Sequence, residues 1–124
     1  KPIRRLLELI SDVPKTPRQA IAMMAFVSMS MCWINWGMGL IASAVFAVIL
    51  AKKHKNVNYK LLVACSYLGM GVTWHAGLSG SVPLLLATPG NFLESTIGIV
   101  PVSETIFSPF NLLTTAVIAI VILS

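Results

Sequence analysis

Between Leu61 and Leu93 the chain carries no formal charge. A run of that length and polarity is long enough to cross a lipid bilayer. It does not, however, read as one uninterrupted helix. Within Thr73 to Asn91, TWHAGLSGSVPLLLATPGN, Gly77, Gly80, Gly90, Pro83 and Pro89 alternate with His75, Ser79, Ser81, Thr88 and Asn91. Lipid supplies no partners for freed backbone groups, so irregular backbone at membrane depth must be buried in protein or line a cavity. In secondary transporters such breaks hold substrate and coupling ions, through half-helix ends and unwound carbonyls. The stretch therefore reads as half of a transport site.

The rest of the composition agrees. Hydrophobic residues make up 56% and charged residues 10% of the chain, where soluble domains carry roughly 25% charged residues. The expected class is an all-α integral membrane chain. The net charge of +5 comes from nine basic residues that are grouped. The groups are Lys1, Arg4 and Arg5; Lys15 and Arg18; and Lys52, Lys53, Lys55 and Lys60. No base-stacking aromatics accompany them, so nucleic acid is not an expected partner. They flank apolar runs, as topology signals do under the positive-inside rule. The chain opens on Lys1 and ends inside an apolar run, and it shows no secretory signal pattern. It is expected to be a segment of a larger protein. Cys32 and Cys65 fall in apolar runs and are expected as buried thiols, not as a disulfide or metal pair.

Taken in order, residues 1–14 place Ile3, Leu6, Leu7 and Ile10 at helical spacing opposite Arg4, Arg5, Glu8 and Asp12. Two readings are open: an amphipathic helix on the cytoplasmic interface, or the end of a preceding span. Pro14 closes this segment. Thr16, Pro17 and Gln19 then form an N-cap pattern. From Gln19 to Ala51 there is no formal charge. As one helix this run would be about 50 Å long, against a hydrocarbon core of about 30 Å. Both flanks are basic and prefer one side. Two full spans would need about 40 residues plus a turn. A re-entrant hairpin over 15–52 meets both constraints, with its tip near 35–39, Asn-Trp-Gly-Met-Gly. A single tilted helix with Gly37 and Gly39 at a packing face is the alternative. Met23, Met24, Met29, Met31 and Met38 read as packing residues. A basic cytoplasmic loop, 53–60, carries His54 as a solvated residue and Asn58 as the next N-cap. Residues 61–100 are expected as a discontinuous transmembrane helix broken over 73–91, its second half running from Phe92 to Val100. Small residues Ala64, Cys65, Ser66, Gly69 and Gly71 would let its first half pack tightly. Residues 101–124 are expected as a loop and a returning span that starts with the cap pair Ser108 and Pro109.

The segments KTPRQA, INWGMGLIASAVFA, YKLLVACSYLGMGVTWHAGLSGSVPLLLATPGNFLE and IVPVSETIFSPFN follow one another in an order and spacing that resembles the short-chain fatty acid transporter family. The likeness runs from Lys15 to the C-terminus, and family members are several times longer. It implies a multi-pass carrier of the bacterial inner membrane. Its substrates would be monocarboxylates such as acetoacetate or butyrate, moved by secondary symport with Na⁺ or H⁺. The implied partners are the bilayer, the rest of the carrier and a second copy in a homo-oligomer. More distantly, ATPGN is similar to a GTPPN-like signature of the ion-transporter superfamily, whose hairpin often shows Ser-Asn-Thr where this chain has Ile34-Asn35-Trp36. That likeness would put Asn35 at a hairpin tip and Thr88 to Asn91 at a helix break.

The candidate ligands are Asn35, Gly37, Ser79, Ser81, Thr88, Gly90 and Asn91. Amides, hydroxyls and free carbonyls suit a hard cation, and backbone N–H groups at helix N-termini suit a carboxylate. Each polar residue has a local alternative: Asn35 an interhelical hydrogen bond, the others capping of their own broken helix. His75 reads either as a proton or substrate contact or as a neutral ring bonded locally. Glu94 is the only acid in the broken span, and it is either functional or a solvated first-turn residue. Trp33, Trp36 and Trp74 are candidate walls for a short acyl chain, or interface anchors. No cofactor is expected beyond a coupling ion. The rival classes are a membrane enzyme subunit using His75 and Glu94 as acid and base, and a non-transporting structural membrane subunit. No nucleophile–base pair or ligand cluster argues for catalysis.

Overall fold

The computed structural model describes residues 2–124; Lys1, and with it one member of the first basic group, lies outside the described residues. Seven α-helices follow in order: α1 Pro2–Ile10, α2 Pro17–Ile34, α3 Trp36–Lys53, α4 Tyr59–Ser66, α5 Ser81–Leu86, α6 Glu94–Ile97 and α7 Pro109–Leu123. A π-helical turn, Gly69–Thr73, and a 3₁₀ turn, Trp74–Ala76, lie between α4 and α5. No strand occurs among the described residues.

The start of α2 is a local affair. The Thr16 hydroxyl accepts the Gln19 N–H at 3.2 Å, the Gln19 carboxamide oxygen accepts the Lys15 N–H at 2.8 Å, and Pro17 takes the first turn. The reversal between α2 and α3 is narrower than the glycine-rich stretch 35–39. Asn35 alone makes it, in an extended conformation. Its N–H closes α2 on the Met31 carbonyl at 2.9 Å, and its side-chain oxygen opens α3 by accepting the Met38 N–H at 3.0 Å. Gly37 and Gly39 belong to the first turn of α3. Gly39 serves close approach: a Cβ there would lie 2.5 Å from Cys32 Sγ and 2.7 Å from the Cys32 backbone N.

Because the turn costs one residue, the arithmetic of the uncharged run changes. Each arm has 18 residues and is about 27 Å long, close to the hydrocarbon thickness of about 30 Å. The arms reach that length only by running past the uncharged stretch into Arg18, Lys52 and Lys53. By length and composition, Trp36–Lys53 and Tyr59–Leu86 are each sufficient to cross a membrane.

The far end of the hairpin returns to its beginning. Lys53 Nζ donates to the Glu8 carbonyl at 3.2 Å and to the Asp12 carboxylate at 2.5 Å. Helix α1 runs beside α3, with Leu7 buried and Ile3 and Leu6 left exposed. Its Ile3 end lies near Met38 and Ile41 and its Glu8 end near Lys53. Met24, Phe46, Leu50 and Leu62 are fully buried where α2, α3 and α4 meet. His54, expected as a solvated residue, is half-buried at the end of α3, its N–H bonded to the Leu50 carbonyl and its Nε2 without a partner. Cys32 and Cys65 are buried free thiols.

Helix α4 starts on Asn58, whose side-chain oxygen accepts the Leu61 N–H. It packs on α2 through small groups and hydroxyls. A Cβ on Gly69 would lie 2.2 Å from the Ser28 carbonyl oxygen. The Ser28 hydroxyl donates to the Ser66 carbonyl at 2.7 Å and accepts the Gly69 N–H at 3.0 Å, and the Thr73 hydroxyl donates to the Met29 carbonyl at 2.7 Å. Regular helix ends at Ser66, earlier than the break expected at 73. The second half expected from Phe92 to Val100 is corrected: α6 has four residues and stops at Gly98, whose φ is +74°. The Val100 N–H returns to the Leu86 carbonyl at 3.0 Å, so residues 87–100 fold back onto the end of α5. Helix α7 begins as the cap pair predicts, with the Ser108 hydroxyl accepting the Asn111 N–H. It rests on α2 and the π-helical turn.

Candidate functional site

Where α2 stops and α3 starts, the Trp33 carbonyl loses its helical donor and the Trp36 N–H its helical acceptor. The broken segment fills both vacancies. The Leu78 N–H donates to the Trp33 carbonyl at 2.8 Å, and the Trp36 N–H donates to the Ser79 hydroxyl at 3.0 Å. Gly77 makes this approach feasible, since a Cβ there would lie 2.2 Å from the Trp33 carbonyl oxygen. The Trp74 indole N–H donates to the Ser79 carbonyl at 3.2 Å. Its ring meets Trp36 edge to face, with centroids 6.4 Å apart.

The hairpin tip and the break are thus one place. Asn35 is exposed there. Its oxygen is spent on the cap, and neither its NH₂ nor the Gly37 N–H has a partner among the described residues. Two neutral donors therefore stand together at the positive end of an 18-residue helix, an arrangement suited to a carboxylate.

The other candidate residues fall into two groups. His75 and Ser81 flank the break as exposed residues, Ser81 at the first position of α5. Gly80 packs beneath, where a Cβ would lie 2.7 Å from the His75 carbonyl oxygen. Thr88, Gly90, Asn91 and Glu94 form a turn that closes on itself. The Thr88 hydroxyl donates to the Leu84 carbonyl, and the Asn91 side chain spans from the Thr88 carbonyl to the Leu93 N–H. Gly90, with φ at +80°, presents its N–H to the Glu94 carboxylate. None of these bonds reaches Asn35 or Ser79. Glu94 closes this turn as the acceptor of the Gly90 N–H, and no hydrogen bond joins it to His75.

Sequence reasoning passed over Asn111. Its amide donates to the Ala76 carbonyl at 3.0 Å and the Ile106 carbonyl at 2.8 Å. It fastens the first turn of α7 to the 3₁₀ turn of the break. The signal was a lone amide in the first turn of an apolar helix.

Long apolar helices and a polar break at a hairpin tip define an all-helical membrane protein. The family model described as "Short chain fatty acid transporter" matches residues 1–124, and the chain belongs to this family. It is 42% identical over 120 residues to a protein of Escherichia coli named "Putative short-chain fatty acid transporter", covering 97% of this chain. A Haemophilus influenzae protein of the same name is 41% identical over 120 residues, covering 91% of this chain. The chain spans 27% of the length of each of these curated relatives. No solved structure gives a significant match.

Proposed function

We propose that this chain forms part of the substrate site of a multi-pass carrier in the bacterial inner membrane. The carrier moves short-chain monocarboxylates, of the acetoacetate and butyrate class, together with Na⁺ or H⁺. The observation that carries the reading is the bond from the Trp36 N–H to the Ser79 hydroxyl. It binds the break to the hairpin tip and leaves the Asn35 NH₂ and Gly37 N–H facing outward as carboxylate donors. The edge-to-face pair of Trp36 and Trp74 supplies an apolar wall beside them. The α2–α3 hairpin enters and leaves the bilayer from the cytoplasmic side, with Lys15, Lys53 and their neighbours in the headgroup region.

Selectivity follows from what the segment lacks. No Arg lies beyond Arg18 and no Lys beyond Lys60, so this segment offers an anion at the break only neutral donors and a helix dipole. One negative charge is more readily satisfied that way than two or three. The family name supports the same substrate class. Uptake of labelled butyrate by the full-length carrier tests the reading, with Na⁺ and pH gradients imposed separately. Acetoacetate is expected to compete well, and succinate and citrate poorly. Equal competition by succinate or citrate overturns the neutral-donor account, and uptake indifferent to both gradients overturns the coupling.

A further inference from the structure

Away from the hairpin tip, α1 and α3 enclose a groove of about 740 Å³. Its floor is Ala44, Val45, Val48 and Ile49, and its rim is Arg4, Glu8, Lys52 and Lys53. A second groove of about 460 Å³, floored by Met38, Ile41 and Ala42, runs into it at Arg4 and Val45, which line both. Together they make one apolar trough along a single face of α3, basic at one end. From Met38 to Ile49 the trough is about 16 Å long, half the thickness of a hydrocarbon core of about 30 Å. It matches the depth of one leaflet.

The charges at the rim do not cancel. Arg4 is paired with Glu8 at 3.0 Å and Lys53 with Asp12. Lys52 has no acidic partner among the described residues and stands exposed at the mouth. A molecule with a long apolar tail and an anionic head complements both parts of the trough. We propose that it is a binding site for an anionic phospholipid of the cytoplasmic leaflet. One acyl chain lies on Val45, Val48 and Ile41, and the phosphate is held at Lys52. Basic pockets between membrane helices on the cytoplasmic side recognise anionic headgroups in this way. The proposal rests on the cytoplasmic placement of Lys52 and Lys53 proposed above, but not on the substrate reading, since neither Asn35 nor Ser79 lines either groove.

The test uses the delipidated full-length carrier, with bound lipid counted by native mass spectrometry. Dioleoyl-phosphatidylglycerol is expected to bind more tightly than dioleoyl-phosphatidylcholine, which has the same chains and no net charge. Lys52→Gln is expected to lower phosphatidylglycerol affinity about fivefold, the effect of one basic contact at an anionic surface. Lys60→Gln, in the same basic cluster but off the trough, is expected to leave it unchanged. Val48→Trp fills the floor without touching charge and is expected to weaken binding as well, so the test stands if Lys52→Gln inserts poorly. Equal affinity for the two lipids overturns the proposal. So does an equal loss in Lys52→Gln and Lys60→Gln, which would signal diffuse attraction, or full binding in Val48→Trp, which would leave the trough to another part of the carrier.

Discussion

The backbone N–H of Trp36 and the hydroxyl of Ser79, 43 residues apart in sequence, are joined at 3.0 Å. This bond unites the end of the hairpin with the unwound segment. Ser79→Ala removes the acceptor and leaves the Trp36 N–H at a helix start without a protein partner. A hydrogen bond of this kind contributes about 1 kcal/mol, so a modest loss of thermal stability is expected. Transport is expected to fall further than stability does, because the donors at the tip are no longer held against the break. Parallel thermal-shift and uptake measurements check this; unchanged uptake in a folded Ser79→Ala carrier would separate the bond from function.

Asn35 has two separable jobs. Its oxygen caps α3, and its NH₂ has no partner among the described residues. Serine at this position keeps the cap and loses the NH₂. Alanine loses both, at a cap cost of about 1 kcal/mol. Asn35→Ser is expected to insert and fold like the parent while raising the KM for butyrate. An unaltered KM returns Asn35 to capping alone.

Gly39 sets the spacing of the arms. In Gly39→Ala the new methyl meets the backbone N and Cα of Cys32 at 2.7 and 2.8 Å as well as its sulfur. Trimming the sulfur in Cys32→Ala is therefore expected not to rescue Gly39→Ala. Loss of stability from such overpacking is typically about 1–3 kcal/mol. Denaturation of the single and double variants in detergent decides it, and full rescue by Cys32→Ala would place the clash at the sulfur alone.

Lys15 and Lys53 are expected to face one compartment, because α3 returns to the Glu8–Asp12 region that precedes α2. Cysteine substitutions at the two positions should react with an impermeant maleimide from the same side. Reaction from opposite sides would contradict the hairpin topology.

How much of this was legible in the sequence depended on how far apart the partners lie. The caps at Thr16, Asn58 and Ser108 were readable because each acceptor bonds a residue three positions on. The place of the reversal was readable from Asn35 and its glycines, but its width was not. Gly39 is needed for packing on Cys32, and composition alone does not separate a packing glycine from a turn glycine. The break was visible as a cluster of glycine, proline and hydroxyl residues. Its interior was not, since the π-helical turn rests on Ser28 and Met29 of another helix. The half-helix expected after Asn91 failed on a tie from Val100 to Leu86. Asn111 escaped notice because its acceptor Ala76 is 35 positions away.

The one-residue reversal at Asn35 also bears on how the protein comes into being. Contacts between α2 and α3 begin at the tip, with Cys32 against Gly39, and extend outward from there. Little chain entropy is spent in closing them, so the pair is expected to zip up early. The bond to Ser79 has to wait until 43 further residues have left the ribosome. Biogenesis would then run in two stages, the hairpin scaffold first and the proposed ligand-binding surface afterwards. Defects in the unwound segment should accordingly yield inserted but inactive carrier, whereas defects at Gly39 should be cleared before insertion is complete.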